Sequence, residues 1–300
     1  MSIDLAQAFT DDLRNREGQA GRAWMAALPA RIDELLEAWE LRRDGDLQHG
    51  YVAVVLPVRR ADGTGAALKV TWPGPDQAPE APSLAAWDGA GAVRLLRHDE
   101  RRWALLLERL DPRRDLTGVP VREATAIIGG LLARLHQTRA PAGIPSLAVT
   151  AARWAEEMPQ TWTGGARELP RRWLDQAVAN CQDLGPGSGS VLLHVDLHYE
   201  NVLAGDREPL LAIDPKGLAG DPEFESLAPL WNRVEEYGEG RDGVRDRLAL
   251  LCETAGLEPE RARRWAVARI VEDAVDRQAD AVAAEREIDV HLRLLAALAD

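Results

Sequence analysis

Cysteine is scarce in this chain: Cys181 and Cys252 are the two thiols, and they show no metal-ligand spacing. Two isolated cysteines make neither a disulfide framework nor a zinc ribbon, and they fit a reducing compartment. No apolar run approaches the roughly 18 residues that a spanning helix requires. The opening MSIDLAQAFTDDLRNREG is acidic early and has no long apolar stretch, so it does not read as a signal peptide. A cytoplasmic protein is the expectation. Internal repeats and low-complexity segments are also missing. Positive charge is in deficit, with a formal net charge of -13. Such a chain repels nucleic acid and anionic membrane, so neither is an expected partner. The acidity suits a cationic small molecule, and it also serves plain solubility.

What is present is enough apolar material, 46% of 300 residues, for a sizeable core in two lobes. Residues 18–40 read as a helix broken at Pro29. ELRRDGD is a candidate first strand. YVAVVLPV and AALKVTW are β-branched runs joined by RRADGTG, which has hairpin turn chemistry. A short helix over 79–88 and a strand pair, AVRLLRHD with RWALLLERL, follow. Beyond the Pro-containing break DPRRDLTGVP the chain turns helical over VREATAIIGGLLARLHQTR and again over 150–182. GPGSGS is a turn, VLLHV and LLAID are two short strands around a loop, and the remainder from about 222 is helix. There Trp265, Ala268, Val271, Val275, Ala279 and Val282 keep a three-four spacing. Sheet first and helices later predicts an α+β fold of two lobes with a crevice between them.

The strongest chemical signal is HVDLHYEN, His194 to Asn201, between the two short strands. His, one residue, Asp, Leu, three residues, Asn is a catalytic-loop pattern. Asp196 is the candidate acceptor of a hydroxyl proton, and Asn201 the candidate metal contact. Asp214, at the end of LLAID, adds a hard oxygen. One carboxylate, one amide and phosphate oxygens satisfy Mg²⁺.

HVDLHYENVLAGDREPLLAIDPKGLAGDP resembles the catalytic and metal loops of the aminoglycoside phosphotransferase family, and within it the streptomycin 6-kinase and hydroxyurea kinase group. GRAWMAALPARIDELLEAWELRRDG, ALKVTWP, EAPSLAAWDGAGAVRLL and LLLERLDP extend the likeness over nearly the whole chain. The resemblance implies a protein-kinase-like fold, with a nucleotide lobe over 1–110 and a catalytic and acceptor lobe over 111–300. It implies ATP and Mg²⁺ as cofactors and O-phosphorylation of an aminoglycoside, first of all at the 6-hydroxyl of streptomycin. By the same resemblance Lys69 grips the α- and β-phosphates, Glu80 holds Lys69, and the backbone from Glu108 to Leu110 bonds adenine. Asp196 is the base, and Asn201 and Asp214 are the metal ligands. Some positions depart from the pattern. Val195 stands where Gly is common, IDP replaces DFG, and Glu225 stands where an Asp is expected. His198 stands where protein kinases carry a phosphate-contacting Lys. DGDLQHG supplies only Gly45 and Gly50 for a phosphate-covering loop.

His194, Asp196 and His198 alternate, which admits a hydrolase metal site, although the other histidines are scattered and His194 reads better as a loop-bonding residue. Lys69 alone is also compatible with a surface lysine. The ten tryptophans include Trp24, Trp87, Trp173 and Trp265 in amphipathic helices, where packing is the simpler role. Trp231 follows GDP closely and is the candidate acceptor-lining aromatic, together with Glu200. Asp273, Asp276 and Asp280 share a helical face, and Glu235, Glu236 and Glu239 form a second acidic group. Each reads as a solvated face or as a carboxylate wall for a cationic acceptor. The alternatives to an aminoglycoside kinase are a kinase of hydroxyurea or another small metabolite, a protein kinase, and a non-catalytic nucleotide-binding protein. Asp221 follows Asp214 by only seven residues, which leaves no room for a long activation segment.

Overall fold

The computed structural model describes residues 7–162, 169–237, 241–277 and 281–299. Helix α1 (Gln7–Ala38) leads into β1 (Arg42–Arg43), β2 (Gln48–His49), β3 (Ala53–Arg59) and β4 (Gly65–Thr71). Helix α2 (Glu80–Trp87) precedes β5 (Leu95–Asp99), β6 (Ala104–Glu108) and β7 (Leu110–Asp111). These strands, β7 apart, form one sheet in the order β1-β3-β4-β6-β5, with β2 also on β3. The β3–β4 hairpin is antiparallel and in full register from Ala53↔Thr71 to Arg59↔Gly65.

Alternation along β4 sorts its side chains by face. Leu68 and Val70 enter a cluster with Val54, Leu56 and Val58 of β3, and α1 covers that face with Trp24, Leu28, Ile32 and Leu35. Lys69 points to the opposite face, which the crevice occupies. The helix runs on through Pro29. Its interruption is at Gly18, where φ is 55°, a value that glycine adopts without the Cβ penalty. The apolar stripe against the sheet holds the segment through Pro29 helical despite its missing N–H.

The second lobe holds α3 (Val121–Leu135), α4 (Leu147–Thr161), α5 (Arg171–Leu184), α6 (Leu227–Trp231), α7 (Arg241–Ala255), α8 (Pro259–Arg277) and α9 (Ala281–Leu298). Set among them are β8 (Val191–Leu193), β9 (Val202–Gly205), β10 (Leu211–Ala212) and β11 (Leu218–Gly220). The region 150–182 is therefore two helices. VLLHV and LLAID do not pair with one another: β8 pairs with β11, and β10 with β9, which also takes β7. VLLHV and LLAID do hold strands, β8 and β10, whereas β9 and β11, four and three residues long, carry too little periodicity to be read beforehand. Trp265, Ala268, Val271 and Val275 are buried as their spacing predicts, and so are Trp24, Trp87 and Trp173. Ala279, Asp280 and Glu239 lie outside the described residues, as does the stretch 163–168.

The large core crosses the lobe junction, taking Leu84, Trp87, Leu105 and Leu107 from the first lobe. The Trp87 indole also donates to the Leu135 carbonyl at 3.1 Å. Among the described residues no helix is long and apolar enough to cross a membrane.

Candidate active site

A crevice of about 2180 Å³ opens between the sheet and the helices. From above, Lys69 of β4 projects into it, nearly buried. Its ammonium donates to Glu80 Oε1 of α2 at 2.7 Å and to Asp214 Oδ1 at 2.6 Å. Burial opposes the charge on Lys69, yet Glu80 and Asp214 outweigh it and hold the ammonium above its ordinary range. Burial likewise lifts the Glu80 carboxyl, and its share of Lys69 only partly offsets that. For Asp214 burial again opposes ionisation, but Lys69, then Lys216, prevail and keep it well below the usual carboxylate range.

Glu108 and Leu110 border the crevice where the chain passes between lobes. The Glu108 carboxylate is gripped from below by Arg207, of the β9–β10 turn, at 2.7 and 3.1 Å. The same guanidinium donates to the Gly89 and Ala92 carbonyls at 2.7 and 3.1 Å. Arg109, next in the chain, turns the other way and donates to the Ala66 and Val58 carbonyls. Consecutive residues are thus anchored to opposite lobes.

The loop after β8 forms the floor. His194 is fully buried, with Nε2 donating to the Ile213 carbonyl at 2.9 Å and Nδ1 accepting from the Asp196 N–H at 3.3 Å. Burial depresses its pKa, so the ring is neutral and both nitrogens are satisfied. It is a loop-bonding residue. The alternation of His194, Asp196 and His198 builds no metal site, and among the described residues no group of three or more His, Cys, Asp or Glu is placed to hold one. Val195 sits at φ 75°, a strained value for a β-branched residue. Glu225 accepts the N–H groups of both His194 and Val195, the latter at 2.8 Å. Arg269 of α8 donates to the Val195 carbonyl at 3.1 Å and lies over the Phe224 ring. Burial would raise the Glu225 carboxyl, but the His136 ring, 3.8 Å away, and the Arg269 guanidinium hold it below the ordinary carboxylate value.

Asp196 is partly exposed to the crevice, with His198 Nε2 4.0 Å from its Oδ1. His198 Nδ1 accepts from the Glu200 N–H and caps the 3₁₀ turn Tyr199–Asn201. Asn201 donates its amide to the Asp196 carbonyl at 2.8 Å, and the Asn201 carbonyl accepts from Ile213 N–H at 2.9 Å, beside Asp214. Every nucleotide and metal residue expected from the sequence lines this one crevice.

The acceptor candidates divide. Glu200, Trp231 and Asp273 line the crevice; Asp276 and Glu235 are exposed and stand outside its wall, and Glu236 is engaged with Arg233 on the surface. Asp273 is already bound, accepting from His291 at 2.7 Å and Arg277 at 2.8 Å. Its neighbour Glu272 also lines the crevice, and burial, with Asp273 and Asp276 close by, pushes its carboxyl up to about 7. Glu272 escaped the reading because a three-seven stripe of aspartates drew attention to its own face. Lys216 also escaped it, although a count would have found it: of 36 lysines and arginines only Lys69 and Lys216 are lysines, and both stand on Asp214.

A small antiparallel sheet above a helical lobe, with Lys69, Glu80, Asp196 and Asp214 meeting at the junction, defines a protein-kinase-like phosphotransferase fold. The aminoglycoside/hydroxyurea antibiotic resistance kinase family model matches residues 38–281, and the chain belongs to that family. A hydroxyurea phosphotransferase of Kitasatospora aureofaciens is 46% identical over 278 residues, covering 91% of this chain and 80% of the relative. A streptomycin 6-kinase of Streptomyces griseus is 42% identical over 275 residues, covering 90% of each. Among solved structures, the aminoglycoside phosphotransferase APH(4)-Ia superposes with a TM-score of 0.60 at 15% identity, over 90% of this chain and 98% of that one. A thermostable mutant of it, solved as a ternary complex with AMP-PNP and hygromycin B, gives 0.56 at 15% identity, over 89% and 96%.

Proposed function

We propose that this enzyme transfers the γ-phosphoryl group of ATP to a hydroxyl of a cationic antibiotic, with the 6-hydroxyl of streptomycin as first acceptor. The observation that carries the reading is Lys69 held between Glu80 and Asp214 on the roof of the crevice that Asp196 enters from the floor. Phosphoryl transfer is mainly positioning and charge neutralisation, so a fixed cation, a metal carboxylate and a facing carboxylate are the parts required.

In this reading Lys69 holds the α- and β-phosphates, Glu80 keeps Lys69 aimed, and the backbone from Glu108 to Leu110 takes adenine. Asp214 and Asn201 fit Mg²⁺: they are hard oxygen donors, and the Asn201 amide nitrogen is spent on the Asp196 carbonyl, which leaves its oxygen as the free end. The metal, when bound, neutralises phosphate charge. Asp196 accepts the proton of the acceptor hydroxyl as that oxygen bonds to the γ-phosphorus. The bond from γ-phosphorus to the β,γ-bridging oxygen breaks, and its electron pair leaves with ADP. Glu272, Asp273, Glu200 and Trp231 are the acceptor-side groups. Carboxylates bind guanidinium through paired, charge-assisted hydrogen bonds, which favours a streptomycin-like acceptor. Hydroxyurea is the second reading, favoured by the 46% identical relative.

Steady-state ADP release across streptomycin, other aminoglycosides and hydroxyurea tests the choice. Streptomycin should give the highest kcat/KM, with a KM that rises with salt because partly exposed ion pairs are screened over about 10 Å at 0.1 M. A higher kcat/KM for hydroxyurea, with no salt effect, transfers the assignment to the small neutral acceptor.

A further inference from the structure

We propose that Lys216 is a second phosphate-contacting cation of this site, its ammonium meeting the terminal phosphate of the bound triphosphate. The inference rests on the phosphotransferase reading above and adds a residue to it. Lys69 Nζ stands 2.6 Å from Asp214 Oδ1 and Lys216 Nζ 3.6 Å from Asp214 Oδ2, so each carboxylate oxygen faces one ammonium. These are the chain's two lysines among 36 basic residues. Arginine offers a broad planar fork, whereas lysine offers a compact point charge. Both lysines stand on the same carboxylate, Asp214, where a compact charge packs more closely than a planar fork.

The backbone beneath Lys216 is fixed. Its N–H donates to the His194 carbonyl at 2.9 Å, which ties it to the loop that carries Asp196. Gly217 follows at φ +61°, and a Cβ there would meet Ser83 Oγ at 2.4 Å and Pro79 Cβ at 2.6 Å, so this turn is pressed under the start of α2. Lys216 therefore stands where the metal carboxylate, α2 and the catalytic loop converge, with its side chain 28% exposed in the crevice wall. The site has need of it. Glu80, Asp196 and Asp214 all line the crevice, the DGDLQHG segment brings only Gly45 and Gly50, and the His198 ring uses Nδ1 as an acceptor for Glu200 N–H. The Lys216 ammonium neutralises the non-bridging oxygens of the moving phosphoryl group.

The scarcity of lysine makes the test direct. Unmodified protein is treated with an amine-acylating reagent and mapped by mass spectrometry, alone and with AMP-PNP·Mg²⁺ or ADP·Mg²⁺. AMP-PNP should protect Lys216 several-fold better than ADP does. In calorimetry Lys216→Met should weaken AMP-PNP·Mg²⁺ about tenfold and ADP·Mg²⁺ less than about twofold, with Lys216→Arg between, as loss of one charge-assisted contact to the third phosphate requires. Equal protection by the two nucleotides, or equal effects on their affinities, overturns the inference and leaves Lys216 as a structural partner of Asp214. Should Lys216→Met fail to fold, the protection pattern on unmodified protein decides alone. Unmodified protein that binds neither nucleotide fails the phosphotransferase reading itself, a result distinct from a Lys216 without γ-phosphate preference.

Discussion

Asp196 owes its position to its neighbours' main chain: its own N–H bonds His194 and its carbonyl is held by Asn201. Its carboxylate is left to the crevice. Replacing it by asparagine keeps the shape and removes the proton acceptor. Asp196→Asn should lower kcat by about 10²–10⁴-fold while the AMP-PNP affinity changes little; retention of most of the turnover would remove Asp196 from the role of base. Glu272 gives a pH signature at the same scale. Its folded-state pKa of about 7 exceeds the ordinary 4.5, so the folded chain holds this proton more tightly than the unfolded one. The contribution of Glu272 to stability is therefore greatest at low pH and is lost as pH rises from about 4.5 to 7. Glu272→Gln should melt above the parent at pH 8 and close to it at pH 4, and should raise the KM for streptomycin without raising that for ATP. Identical melting at both pH values would refute the burial of this carboxyl.

At the scale of elements, the loop after β8 is a strained segment clamped from two sides. Val195 at positive φ stores about 1–3 kcal/mol, and the clamp is Glu225 on the two N–H groups and Arg269 on the carbonyl. Glu225→Ala would leave the buried His194 N–H and the partly buried Val195 N–H unpaired, at about 1–3 kcal/mol for the buried donor and less for the other. Thermal unfolding should show a clear loss and kcat should fall with it, whereas Glu225→Gln, which keeps an acceptor, should be milder. A Glu225→Ala protein of parental stability would mean that the loop holds itself. This is also where the sequence was legible only in part. HVDLHYEN stood out because its spacing is that of a catalytic loop, and the β3–β4 hairpin announced itself by alternation. Glu225 was visible only as an unexpected residue type, and Arg269 not at all, because both act across long sequence separations on backbone atoms. The two-residue strands β1 and β10 were read as strands, but their pairing on β3 and β9 was not legible: their partners, not their own residues, set it. Gly18 rather than Pro29 breaks α1, since burial of a whole stripe outweighs one lost hydrogen bond.

For the whole molecule, the two lobes are joined by a continuous core and by Arg207, and little chain lies between Asp214 and Asp221. That interval is taken up by Lys216, Gly217 and β11, which pairs directly with β8. No segment is left there to be ordered by modification, so this interval offers no bistable element for a switch to bias. Protein produced without any kinase partner should turn over fully, and a requirement for prior phosphorylation would contradict the account. The central claim, transfer of the γ-phosphoryl group to an acceptor hydroxyl across this crevice, is tested most directly by phosphorus NMR of the purified protein with ATP, Mg²⁺ and streptomycin. The account predicts a new phosphomonoester resonance that grows in step with ADP and is absent with Asp196→Asn. ADP accompanied only by inorganic phosphate, or a phosphomonoester formed equally well by Asp196→Asn, would contradict it.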